Sequence, residues 1–338
     1  MVSGFSRAGL LAGVVFVAFV GSSHLQGQAH QQAPRTPWGD PDLQGIYNNS
    51  NESGTPMQRP PEFAGRRLQD VTPEEMARVA KERATRIQKV AENIGATEEN
   101  PTGAGPTHWY ENYNPKNSRA WMISDPPDGQ TPALTEDAKR RAAAVRAARR
   151  GGDGYNKGPF DGPEDFTLYV RCITRGVPGS MMPAIYGNSY DITQGPGWVA
   201  IRYEMVHETR VIPLDGRPHA PASMKSYMGD PRGHWEGDTL VVETTNYVEN
   251  SAYGGASDKL KTIERFRPVG RDIEWSITFD DPSTWARPWT FGMRLSRDDS
   301  QQVYEYACHE GNEGMRGMLS AARAAEKAEG ASSPPAKR

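Results

Sequence analysis

An unbroken series of strand-like segments fills the second half of this chain and sets its architecture. From Ser189 onward, SYDITQ, WVAIRYEM, TRVIPL, HWEGDTLVVETTNY, LKTIERFRP, IEWSITFD, WTFGMRL and QVYEYACH follow one another, separated by turns such as GPG, DGRPHAP, VGRD and SRDDS. Each segment is rich in β-branched and aromatic residues, and nothing between them is long enough for a helix. In IEWSITFD, Ile273, Trp275, Ile277 and Phe279 share one face, while Glu274, Ser276 and Thr278 share the other. An antiparallel sheet of about eight such strands hides its dry face and its open edges by closing as a barrel or folding as a sandwich. The expected fold is therefore mainly β, a meander closed or folded in this way behind an α-helical, loop-rich region. In TLVVETTNY, Leu240 and Val242 share a face with Thr244 and Asn246. That gradient fits a barrel with a solvated mouth and equally a strand fraying into a loop.

The flanking segments divide the rest. Residues 1–29 have the order of a signal peptide: Arg7, an uncharged run from Ala8 to Val20, then small residues at Gly27 and Ala29. The run is shorter than a bilayer span, so cleavage near Ala29 and a periplasmic or secreted mature chain without a transmembrane segment are expected. Residues 30–71 read as an extended arm because Pro and Gly exclude a long helix, with Trp38, Leu43, Ile46 and Tyr47 able to dock it. Residues 72–165 read as a wrapping region. Thr72, Pro73 and Glu75 form a capping-box start for a helix running to about Ile94 and stopped by Gly95. A second helix starts after Thr135 and ends at Gly151 and Gly152, its KRRAAAVRAARR run reading as a solvated face. The main β domain covers 166–319, and 320–338 reads as a short helix passing into disorder.

Charge and motifs exclude more than they assign. With 42 acidic and 39 basic residues the net charge is −3, which points to no nucleic-acid partner. No G-x-S-x-G elbow, P-loop, dinucleotide fingerprint or CxxC pair is present, which removes the commonest nucleotide-binding and serine-hydrolase readings and leaves the cofactor unknown. Export makes a disulfide between Cys172 and Cys308 chemically available, against the alternative of two buried thiols. HEGNE lacks the second histidine of a zincin, and His207, His219, His234 and His309 have no short ligand spacing, so no metal site is assigned.

Candidate chemistry rests on scattered residues. His309 beside Glu310, or His207, with Glu305 nearby, would serve as an acid–base pair, and Arg287 would stabilise developing negative charge. The corner STWARPWT sets Arg287 between Trp285 and Trp289, suited to stacking on a ligand. Arg210, His219, Asp230 and Arg232 are further candidate ligand-binding residues, and Arg202, Glu204, Glu264 and Arg265 need partners if they face a barrel interior. Three functions follow: an exported binder of a small molecule in a β-barrel or β-sandwich cavity, a periplasmic hydrolase or lyase, or a cell-envelope interaction module. The series DPPDG, GPED, Arg171–Cys172, GDPRGHWEGDTLVVETTN, DDPSTWARPWT and YEYACHEGN resembles a family of exported proteins of soil and aquatic bacteria. The resemblance covers most of the mature chain, implies export, and brings no activity or site residue with it.

Overall fold

The computed structural model describes Met1 and residues 34–92, 115–148, 160–184, 186–248 and 253–332. Its ten strands are β1 (Gly45–Asn48), β2 (Ile123–Asp125), β3 (Ser189–Gly195), β4 (Trp198–Tyr203), β5 (Thr209–Pro213), β6 (Asp230–Glu236), β7 (Thr239–Thr245), β8 (Lys261–Val269), β9 (Asp272–Asp280) and β10 (Trp289–Arg297). The helices among the described residues are α1 (Pro73–Glu92), α2 (Glu136–Ala148) and α3 (Glu313–Ser332). The strands run antiparallel in the order β5-β4-β3-β1-β10-β9-β8-β7-β6, with β2 paired to β10 off this path. The two end strands approach each other: a Cβ on Gly233 of β6 would lie 2.8 Å from Ile212 of β5 and 2.5 Å from Leu214. Glycine is what lets the edges come this close, and the sheet is a nearly closed barrel.

Strand alternation fills the interior. Ile273, Trp275, Ile277 and Phe279 of β9 are buried, and Tyr190, Ile201, Tyr203, Leu240, Phe266, Phe291 and Met293 join the same core. Thr244 is also fully buried. The polar end of β7 is thus an interior position rather than a fraying strand, while Asn246 lies beyond β7 with a positive φ of 59°.

Three expectations are corrected. The arm does more than dock, because within its described residues β1 joins the sheet and pairs with both β3 and β10. Gln194 locks the approach, accepting from the Leu43 amide at 2.6 Å and donating to the Pro41 carbonyl at 3.1 Å. QVYEYACH forms no strand: β10 already has β9, β1 and β2 as neighbours, and Glu305 and the neighbouring Tyr304 are exposed. The final helix starts at Glu313 rather than Ser320, capped by Asn312 Oδ1 accepting from the Met315 amide at 3.3 Å. Met315, Met318, Leu319 and Ala322 pack it on Phe160, Phe166 and Val170.

The helix starts match the sequence. In α1 the Thr72 hydroxyl accepts from the Glu75 amide at 3.3 Å, and Glu75 accepts from the Thr72 amide at 2.9 Å. In α2 the Thr135 hydroxyl accepts from the Ala138 amide at 3.1 Å. The expected ends of both helices lie outside the described residues. Buried Arg83 joins Val79 on the inward stripe of α1 and donates to the Arg119 and Ala120 carbonyls, fastening the segment that leads to β2. Cys172 and Cys308 form a disulfide with Cα atoms 5.7 Å apart, across a separation of 136 residues. In the chain-entropy model a cross-link of that span is worth about 5 kcal/mol.

Candidate functional site

The first cluster lies inside the barrel. Alternation turns Arg210 of β5 inward, where Nη1 donates to Glu264 of β8 at 2.5 Å and Nη2 donates to the Thr244 hydroxyl at 2.6 Å. Trp275 Nε1 donates to the other Glu264 oxygen at 3.2 Å. Both charges are essentially sealed from solvent. Burial alone would lower the Arg210 pKa, but the Glu264 carboxylate outweighs it and holds the guanidinium above its ordinary value. Arg210, expected to meet a ligand, instead neutralises a carboxylate that the sequence left without a direction. The buried Tyr203 hydroxyl lies close to the Arg210 guanidinium. Burial raises the Tyr203 pKa, so that its phenol stays neutral.

The second cluster brings together three sequence candidates. His219 lies in the loop after β5, with Nδ1 3.1 Å from Asp230 Oδ2 and Nε2 3.3 Å from Glu243 Oε1. Asp230 also accepts from Arg232 Nη1 at 2.5 Å and from the Ala220 amide at 2.8 Å. Burial pushes the Asp230 pKa up, yet those donors outweigh it and leave it lowered. Strand register supplies Glu243, which the sequence analysis missed, because Arg232 of β6 faces Glu243 of β7. Arg232 Nε donates to the Pro218 carbonyl and Asn246 Nδ2 to the Ala220 carbonyl. Both ring nitrogens of His219 thus lie against carboxylates. The group pins the 214–229 loop to the outer face of the barrel.

The proposed catalytic residues are not assembled. His207 sits exposed in the β4–β5 turn, and His309, Glu310 and Glu305 lie exposed beyond β10. None of their side chains, nor that of exposed Arg287, makes a hydrogen bond among the described residues. Trp285 and Trp289 are core residues rather than a ligand clamp: their centroids lie 5.5 Å apart, and Trp289 stacks on Phe279 at 4.7 Å. Both turn away from Arg287 into the barrel because Phe279 and Phe291 offer more apolar surface there than solvent-facing stacking would. Among the described residues no group of three or more His, Cys, Asp and Glu is placed to hold a metal ion.

The outer face of β3, β4 and β5 carries an open cleft of about 620 Å³, lined by Thr193, Trp198, Ala200, Val211, Pro213 and Arg217 among others. Trp198 and Val211 are 39% and 55% exposed, unusual for large apolar side chains on adjacent strands. The indole lies across Gly195, where a Cβ would stand 2.4 Å from Trp198 Cε2. Asp215 takes Arg217 Nε at 2.8 Å and 2.9 Å, forming a polar rim. Those hydrogen bonds hold the Asp215 carboxyl down at about 2. The cleft and the pinned loop are continuous in the chain, since Asp215 and Arg217 immediately precede His219. Trp198 and Arg202 share one face of β4, and that face is outward.

The fold and these sites define a nearly closed antiparallel β-barrel with a filled interior and an apolar outer cleft. No family model matches the chain, and no curated protein matches it. Among the described residues no helix is long and apolar enough to cross a membrane.

Proposed function

We propose that this is an exported protein that binds a small, flat, largely apolar molecule in the outer cleft of β3, β4 and β5. The observation that carries this reading is the half-exposed Trp198 indole, seated on Gly195 and facing a strip of Ala200, Val211 and Pro213. Such a platform suits stacking, and a volume of about 620 Å³ falls in the range of small-molecule sites. The Asp215–Arg217 pair supplies polar contacts at the rim for orientation. The barrel interior, expected to hold the ligand, is occupied by aromatic side chains and the Arg210–Glu264 pair. Export to the periplasm or medium is supported by the order of residues 1–29 and by the Cys172–Cys308 disulfide, which suits an oxidising compartment.

The test uses N-phenyl-1-naphthylamine, an uncharged flat probe, titrated into the full chain by fluorescence. One saturable site is expected, with Trp198→Ala weakening it about tenfold, the loss of one good aromatic contact, and His309→Ala leaving it unchanged. Wild-type affinity in Trp198→Ala, or no saturable binding by the parent protein, overturns the proposal.

A further inference from the structure

The segment that covers the β4–β5 turn carries an arginine with no carboxylate partner. Arg175 lies in the series of turns from Thr167 to Gly176, close to the disulfide at Cys172. Its guanidinium stands 5.2 Å from the centroid of the Tyr169 ring. Among the described residues it makes no ion pair and no hydrogen bond through its side chain. The side chain is half-buried and reaches solvent.

A tyrosine pair lies on the other side of the disulfide from this charge. Tyr186 and Tyr306 stack at 6.0 Å with their hydroxyl oxygens 3.3 Å apart. The Arg175 charge reaches the hydroxyls of Tyr169, Tyr186 and Tyr190, lowering each pKa against the burial that raises it. Burial, reinforced by Tyr306, pushes Tyr186 up to about 12, so its phenol keeps its proton at neutral pH. Tyr190 lies behind the others, fully buried, with its hydroxyl donating to the Met181 carbonyl. The acids on this side are otherwise engaged: Glu208 accepts from the Thr174 hydroxyl at 2.6 Å, and Glu204 accepts from the Ser189 amide at 3.1 Å. The disulfide fastens the two halves together, because Tyr306 lies two residues before Cys308 and Arg175 three after Cys172.

A guanidinium offers a planar fork of N–H donors, and phenols add O–H donors beside it. Several other arginines here spend that fork on Asp or Glu, Arg210, Arg217 and Arg232 among them. We propose that Arg175, with Tyr169, Tyr186 and Tyr306, forms a second binding site, one for an oxyanion group: a carboxylate or a phosphate. It is separate from the Trp198 cleft and independent of what binds there. The guanidinium supplies the charge and the bidentate geometry, Tyr169 packs on it, and the Tyr186–Tyr306 pair, whose hydroxyls share one hydrogen bond, leaves the Tyr306 proton to donate from the side.

The test is a calorimetric titration of the full chain, in a buffer free of other oxyanions, with acetate, benzoate and inorganic phosphate. Saturable binding of at least one is expected. Arg175→Met is expected to weaken it at least about tenfold, the scale of one charge-assisted bidentate contact. Arg175→Lys, which keeps the charge without the fork, should fall between the two. Tighter phosphate than benzoate assigns the site to phosphoryl groups, and the reverse assigns it to organic acids. If Arg175→Met does not fold, the Tyr186→Phe/Tyr306→Phe pair, which keeps both rings, carries the test and should also bind more weakly. Unchanged affinity in whichever of these variants folds, or no saturable binding by the parent protein, overturns the proposal. Trp198→Ala should leave anion binding intact, and equal losses of dye and anion binding in that variant would refute two separate sites.

Discussion

Replacing Arg210 by Met tests how the barrel interior is held. In the parent structure Glu264 is wholly buried, and its charge is met by Arg210 at 2.5 Å and by the single indole N–H of Trp275. Removing the guanidinium leaves a buried carboxylate with one neutral donor, a change worth about 3–5 kcal/mol. For a chain of this size each kcal/mol moves the thermal midpoint by about 2 °C, so a fall of about 6–10 °C is expected. Glu264→Gln in the same background removes the stranded charge while keeping an oxygen for Trp275. The double variant Arg210→Met/Glu264→Gln should therefore recover about 2 kcal/mol or more relative to Arg210→Met alone. Urea unfolding followed by circular dichroism of all four chains closes a double-mutant cycle. A coupling energy below about 0.5 kcal/mol would show that the two charges do not depend on one another and would refute the assignment.

Two further outcomes follow from local strain and from buried charge. In the β4–β5 turn Val206 has φ 64° and ψ 0°, a left-handed conformation in which a β-branched side chain is strained, and His207 follows at φ 57°. Val206→Asn is expected to stabilise by about 1 kcal/mol in urea unfolding, and a loss of stability would show that Val206 packing matters more than its backbone. Burial raises the Glu52 pKa above its ordinary 4.5, although the Ser118 amide, at 3.1 Å, and the Arg119 charge oppose the shift. A raised carboxyl binds its proton more tightly when folded, so its contribution is fullest below pH 4.5 and declines as pH rises from there through the folded value. Glu52→Gln should flatten that decline in a pH series of thermal midpoints, and an unaltered profile would count against it.

Much of the barrel was legible because its strands carry their own pattern. The alternation in β9 and the capping box of Thr72 and Glu75 are local signals, and the structure realises both. β1 was not legible: four residues in a Gly- and Pro-rich arm become a strand only because β3 and β10 leave a place between them. Residues 302–309 have the composition of a strand, but the places beside β10 are already filled. Asp230, Arg232 and His219 were each visible as candidates, whereas their meeting, and the part of Glu243, needed the fold and the β6–β7 register. Arg175 and Tyr306 are 131 residues apart in sequence, but they flank the chain's two cysteines, and pairing Cys172 with Cys308 would have brought them together on paper.

The outer face of the barrel differs from one side to the other, and that difference bears on where binding occurs. On β6, β8, β9 and β10 outward positions are spent on cross-strand ion pairs, with Arg265 on Glu236, Arg267 on Glu274 and Arg294 near Asp272. Such pairs keep a sheet face wet at little cost in stability. On β4 and β5, beside the Arg202–Asp191 pair, the equivalent outward positions are Trp198, Ala200, Val211 and Pro213. Folding draws little from Trp198 and Val211, which retain 39% and 55% of their exposure instead of burying it. Gly195, by leaving room for the indole, forgoes the side chain that would strengthen β3. The apolar patch therefore has no adequate explanation in the stability of the barrel alone. A ligand that covers the indole would recover the solvation free energy that the fold leaves unused.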